Sequence, residues 1–168
     1  MKSTATLGFD SFNKTVQLSD GSLINCLIYD TAGQERYNAL NYNYYKKANA
    51  VLLVYDITQK KTFEKVKNYY INEIKNNCNE DVIVLLLANK TDLEKNREVT
   101  SEEGINLAKY ESYEFKESSC SENKNVAGAF EYLVETWNFG NKARKDSSFV
   151  ILEYKEEYRK KKKKGCCN

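Results

Sequence analysis

Three short stretches carry side chains able to do chemistry. Asp30 to Arg36 reads DTAGQER, which sets a carboxylate, a glycine (Gly33) and an amide (Gln34) within five residues. Asn89 to Asp92 reads NKTD, an amide, an ammonium, a hydroxyl and a carboxylate in succession, and Glu117 to Cys120 reads ESSC. The chain ends in a fourth unusual stretch, KKKKGCCN, with Cys166 and Cys167 adjacent. Histidine is absent from all 168 residues, so Ser-His and Cys-His nucleophile pairs and histidine metal sites are excluded. What remains suits carboxylate and amide recognition of a ligand's N–H groups and hard-cation binding through oxygen.

Positioning such groups requires a scaffold, and 168 residues suffice for one domain. The 41% apolar and 30% charged composition is that of a folded protein, and no run reaches the eighteen or so apolar residues of a membrane span. The amino end, MKSTATLGFD, lacks the apolar core of a secretory signal. Cys26, Cys78 and Cys120 are scattered singly, with neither a disulfide framework nor a zinc spacing; a cytoplasmic setting is the expectation. The net charge of +2 conceals a division. Arg159 to Lys164 hold six of the 26 basic residues, leaving 20 against 24 acidic elsewhere, a balance of −4.

Phe12 to Leu18 and Ser22 to Tyr29 read as strands joined by a Ser19-Asp20-Gly21 turn, the glycine supplying positive φ. Ala50 to Tyr55 and Val82 to Ala88 are continuous apolar runs, the pattern of parallel strands covered on both faces. Phe63, Val66, Tyr70 and Ile74 form a helical stripe between them. Thr100 and Glu103 make a capping box for a helix through Tyr110. Tyr113 to Lys116 is a short strand, and Val126, Phe130, Leu133, Val134 and Trp137 mark a last amphipathic helix. The alternation predicts an α/β doubly wound, mostly parallel sheet with one antiparallel hairpin. From residue 146 onward the pattern lapses into charge, which predicts a domain over 1–145 and a flexible basic tail over 146–168. Each chemistry-bearing stretch except the tail follows a predicted strand, where open α/β sheets bind their ligands.

Taken in order, these stretches resemble the Ras superfamily of small GTPases and, within it, the Rab branch. TLGFD at Thr6 to Asp10 is similar to the Rab switch I string TIGVD, YDTAGQERY to switch II, NKTD to the guanine motif NKxD and ESSC to ETSA. The resemblance implies a GTP/GDP switch with Mg²⁺ as cofactor. Asp92 would meet the paired N–H donors of guanine, which adenine lacks. Asn89 would tie the base-binding loop together, the Lys90 stem would lie along the base, and Ser119 and Cys120 would offer backbone N–H groups to its carbonyl. Thr6 would ligate Mg²⁺ directly and Asp30 through water, Gly33 would meet the γ-phosphate, and Gln34 would orient the attacking water. The Cys-Cys end resembles Rab tails that carry two geranylgeranyl groups at Cys166 and Cys167, which with the basic run would hold the protein on the cytosolic face of endomembranes.

The family also places a strand, a GxxxxGK[ST] phosphate loop and a helix ahead of switch I. None of the seven glycines here is followed by lysine, and the expectation is an incomplete copy of the fold. Its missing first strand would leave two apolar strand edges bare in mid-sheet. The implied partners are an exchange factor, a GTPase-activating protein, a prenylation escort and vesicle-traffic effectors. Two alternatives stand beside the switch: a non-enzymatic adaptor or decoy that holds no nucleotide, and a basic-tailed nucleic-acid binder. The second is disfavoured because no aromatics interleave the basic run, so no nucleic-acid partner is expected.

Overall fold

The computed structural model describes residues 9–32, 44–140 and 148–155. Its order is β1 (Phe9–Gln17), β2 (Leu23–Ala32), β3 (Ala50–Asp56), α1 (Lys60–Lys65), a π-helical segment (Val66–Tyr70) and α2 (Ile71–Asn77). There follow β4 (Ile83–Asn89), a 3₁₀ segment (Thr91–Asn96), α3 (Ser101–Glu111), β5 (Glu114–Glu117), α4 (Val126–Gly140) and β6 (Ser148–Lys155). The hairpin turns as the sequence requires: Gly21 adopts φ +83°, Leu18 N–H donates to Ser22 O at 2.8 Å, and the Asp20 carboxylate accepts from Ser22 N–H at 2.9 Å. The expected capping box is present on α3, with Thr100 accepting from Glu103 N–H while Glu103 accepts from Thr100 N–H.

All six strands form one sheet in the order β1-β2-β6-β3-β4-β5. Only β1 and β2 are antiparallel; the pairs β2/β6, β6/β3, β3/β4 and β4/β5 are all parallel. The sheet is therefore the mostly parallel α/β sheet with one hairpin that the sequence predicts.

The central strand overturns one expectation. Residues 148–155 were expected within a flexible tail, yet they run between β2 and β3, with Ile28 opposite Ile151 on one side and Ala50 opposite Ile151 on the other. The bare strand edges expected on either side are thereby paired, and the folded unit extends past residue 145 to Lys155. The physical reason lies in Phe149 to Leu152, FVIL, an apolar run only four residues long inside charged sequence. Alternation sends Phe149 and Ile151 to one face and Leu152 to the other. Each of the three is at most 1% exposed, and burial of that order contributes about 1.5–3 kcal/mol per side chain. Asn49 fixes the strand's entry: its N–H donates to Val150 O at 3.0 Å and its side-chain oxygen accepts from Val150 N–H at 2.9 Å.

Helices cover both faces. Val66, Tyr70, Ile71 and Ile74, with Leu107 and Ala108 of α3, pack on Val51, Leu53, Leu86 and Leu152. On the other face Ala129, Leu133, Val134 and Trp137 of α4 pack on Ile28, Leu52, Leu85, Phe149 and Ile151. Trp137 and Phe149 lie ring to ring at 5.0 Å. The chain thus winds outward from β3 through β4 to β5 along one face, then returns along the other to reach β6 on the far side of β3.

Candidate functional site

The carboxyl ends of β4 and β5 bring the NKTD and ESSC stretches together. Ser118 N–H donates to Ala88 O at 2.8 Å, and Thr91 uses both its N–H and its hydroxyl on Ser118 O at 3.1 Å, so the two loops are laced through the backbone. Asn89 closes the lacing. Its side-chain oxygen accepts from the Ser118 hydroxyl and from Cys120 N–H, both at 3.3 Å. Asn89 thus joins the end of β4 to the loop after β5.

Asp92 projects from the 3₁₀ segment at an exposed position, and its Oδ1 accepts from the Ser119 hydroxyl at 2.6 Å. The Ser119 and Ser121 hydroxyls hold its carboxyl below the usual carboxylate range. Hydrogen bonds to the ionised form favour it, so Asp92 presents a fixed negative acceptor. Such an acceptor complements a ligand edge carrying two N–H donors.

Ser119 uses its backbone and its hydroxyl separately. Its N–H donates to Lys124 O at 3.1 Å, and Lys124 N–H returns a bond to Ser119 O at 2.9 Å, closing the loop 119–124 on itself. The Cys120 N–H is likewise directed at Asn89. In this structure the contribution of Ser119 is its hydroxyl, which orients Asp92.

Lys90 sits in the left-handed region at φ +72°, an uncommon conformation for a long side chain. That backbone turns its stem across the sheet toward β3, where Nζ pairs with Asp56 Oδ2 at 2.5 Å. Asp56 lies outside the motifs that stand out in the sequence. It is buried at the end of β3, and its Oδ1 also accepts from Thr58 N–H at 2.9 Å and the Thr58 hydroxyl at 2.7 Å. Burial opposes its ionisation, but the Lys90 ammonium and the two Thr58 bonds outweigh it and hold the carboxyl below the usual range. The signal was available in Asp56-Ile57-Thr58, an acid one residue short of a hydroxyl at a strand end, the pattern of an Asx turn.

Asp30 lies 9% exposed near the carboxyl end of β2, in register with Glu153 of β6. Alternation places both on the α4 face. Thr6, Gly33, Gln34, Cys166 and Cys167 lie outside the described residues. Hard oxygen donors at Asp30 and Glu153 suit Mg²⁺, which takes one or two carboxylates and draws its other ligands from water and phosphate; among the described residues no group of three or more acidic or thiol side chains converges on a metal-sized space. Burial pushes the Cys26 thiol up to about 11 and the Cys78 thiol up to about 12, so neither is a nucleophile near neutrality. A cleft of about 540 Å³ between the hairpin turn and the end of α4, lined by Leu18, Asp20, Tyr132 and Phe139, lies at the opposite end of the sheet from these loops.

Comparison with known proteins agrees with this arrangement. The Ras family model matches residues 1–138. The chain is 37% identical over 165 residues to the Ras-related protein Rab-37 of Mus musculus, covering 98% of this chain and 72% of that protein. It is 36% identical over 178 residues to the Ras-related protein RABA1b of Arabidopsis thaliana, covering the whole chain and 82% of that protein. With the Ras-related protein YPTC6 of Chlamydomonas reinhardtii the identity is 33% over 180 residues, with 82% of that protein covered. The laced guanine-motif loops, the parallel sheet that presents them and these relatives together make the chain a member of the Ras family, a small GTPase of the Rab group.

Proposed function

We propose that the protein is a guanine-nucleotide switch that binds GTP and GDP, hydrolyses GTP and acts in vesicle traffic on the cytosolic face of endomembranes. The observation that carries this reading is Asp92, whose ionised carboxylate is held by Ser119 on a loop that Asn89 braces. Guanine offers that acid two N–H donors; adenine would leave a negative acceptor unmatched, a large penalty. Lys90, tethered by Asp56, would lay its methylenes along the base. Asp30, through water, and Thr6 would hold Mg²⁺. Bound Mg²⁺ would neutralise charge on the β- and γ-phosphates. Gly33 admits close approach of its backbone to the γ-phosphate and Gln34 orients water for its attack. Release of the γ-phosphate would free the segments around Thr6 and Gln34, the usual switching device of such proteins. Two prenyl chains on Cys166 and Cys167 supply the pair of signals that stable membrane attachment requires.

Nucleotide extracted from the purified protein and resolved by anion-exchange chromatography tests the reading. GDP or GTP near one equivalent is the expected result. A second reading, a Rab-like adaptor that holds no nucleotide, is favoured by β6, whose occupation of mid-sheet completes the fold with the chain's own carboxyl-terminal segment. A folded chain that yields no nucleotide, and takes up none when GTP is supplied, would decide for that adaptor.

A further inference from the structure

The segment that carries Asp92 has no hold of its own on the core. Thr91–Asn96 forms six residues of 3₁₀ helix and buries none of its side chains; even Leu93, where the backbone kinks at φ −97° and ψ 34°, is 45% exposed. Runs of 3₁₀ helix beyond three or four residues are uncommon because their hydrogen bonds are poorly directed. The position of Asp92 therefore depends on polar bonds at the two ends of the segment. At its start Thr91 is laced to Ser118. At its end stands Arg97.

The Arg97 side chain is only 12% exposed, and it is attached in three directions. Nε and Nη2 form a fork onto Glu94, at 2.8 Å to Oε1 and 2.7 Å to Oε2. Nη1 donates to Val99 O at 3.1 Å, and Val99 is fully buried with its N–H on Ile57 O. Nη2 also pairs with Glu117 Oε1 at 3.2 Å, an oxygen that accepts in addition from the Ser101 hydroxyl at 2.7 Å. Glu117 opens the ESSC stretch two residues before Ser119, whose hydroxyl holds Asp92 at 2.6 Å. A closed ring results. It runs from Asp92 to Glu94 along the chain, from Glu94 through Arg97 to Glu117 by side chains, from Glu117 to Ser119 along the chain, and from Ser119 back to Asp92. Through Val99, Arg97 carries the position of the core to a segment that lacks one.

We propose that Arg97 is a positioning residue for base selection: by holding Glu94 and Glu117 together it sets the direction of the Asp92 carboxylate against Ser119, and with it the strictness with which the site chooses guanine. The inference rests on the nucleotide-binding reading above and adds a residue that acts through Asp92. A carboxylate that meets two N–H donors side by side must face both at once. Turning it costs the second bond before the first. Hypoxanthine has the ring N–H and the carbonyl of guanine but not its exocyclic amine, so preference for guanine over hypoxanthine measures that second bond. Lysine in place of the arginine would keep the charge but could not fork onto Glu94 while reaching Glu117.

The test measures binding of GDP and of inosine diphosphate by calorimetry to the full chain and to its R97Q, R97K and E94A variants, with circular dichroism as the check of folding. The parent should prefer GDP by about tenfold, the worth of one hydrogen bond to a charged group. R97Q should lower that ratio by about fivefold, and R97K should recover about half of the loss. The Glu94 side chain is 65% exposed, so E94A removes the fork without entering the core and should lower the ratio by about threefold; it decides the question if R97Q does not fold. Equal weakening of both nucleotides, or none, would make Arg97 a structural residue only and overturn the proposal, while GDP binding by the parent would leave the nucleotide reading in place. A parent that binds GDP and inosine diphosphate alike would overturn the proposal on the same terms. If the parent takes up neither, the nucleotide reading falls and the proposal with it.

Discussion

The two halves of the sheet are built by different means. On one side β3, β4 and β5 are joined by helices close in sequence, and each strand ends in a loop that carries part of the candidate site. On the other side the β1/β2 hairpin forms no ladder with β3; the parallel ladders of β6 are its link to the rest of the sheet. The first half is specified locally, each strand pairing with the next in sequence. The second depends on a segment recruited from about a hundred residues away, whose burial replaces what local connection does not give.

Breaking β6 should therefore have the largest effect. Phe149→Ala removes a fully buried ring packed at a tilt against Trp137 and should destabilise the fold by ~3–5 kcal/mol. Urea unfolding followed by Trp137 fluorescence measures it; a shift in midpoint no larger than that of a surface substitution would show that the hairpin holds to the sheet without β6.

Gly104→Ala tests the other half at comparable depth. Alanine favours helix by about 1 kcal/mol, but a Cβ at this position would meet Tyr55 Oη at 2.5 Å and Phe115 Cε2 at 2.6 Å. Overpacking of this kind costs ~1–3 kcal/mol, so net destabilisation is expected, and a rise in melting temperature would contradict the close approach of α3 to β3 and β5.

Asp56→Asn sharpens the comparison at the site itself. The native carboxyl is held below its unfolded value, so its contribution is complete above the ordinary carboxylate range and is lost as pH falls through the folded value. Unfolding free energies measured from pH 6 to pH 3 should fall less steeply in the variant, with a loss of ~1–2 kcal/mol at pH 6 from the charge-assisted bonds to Lys90 and Thr58. Parallel acid limbs in the two proteins would remove Asp56 from the pH response.

Thr100→Ala should have the smallest effect, about 1 kcal/mol, by removing the cap of α3. Hydrogen exchange confined to the first turn of α3 is the expected signature, since that helix folds on local signals.

Legibility followed the same division. The Thr100 capping box, the Gly21 turn and the apolar runs of β3 and β4 were readable because each is fixed by neighbours within a few residues. NKTD and ESSC were readable as a pair because both follow strands. Asp56 was overlooked because its importance comes from Lys90, 34 residues distant, and the bond from the Ser119 hydroxyl to Asp92 spans 27 residues in the same way.

The amino-acid sequence alone determined the α/β class, the hairpin, the helices and the family, since these depend on period, capping and motif order, all local properties. Tertiary structure decided what lies at mid-sheet. Four apolar residues within charged sequence carry too little periodic signal to declare a strand, and only the vacant hydrogen-bonding edges of β2 and β3, with α4 above them, make burying FVIL more favourable than leaving it in water.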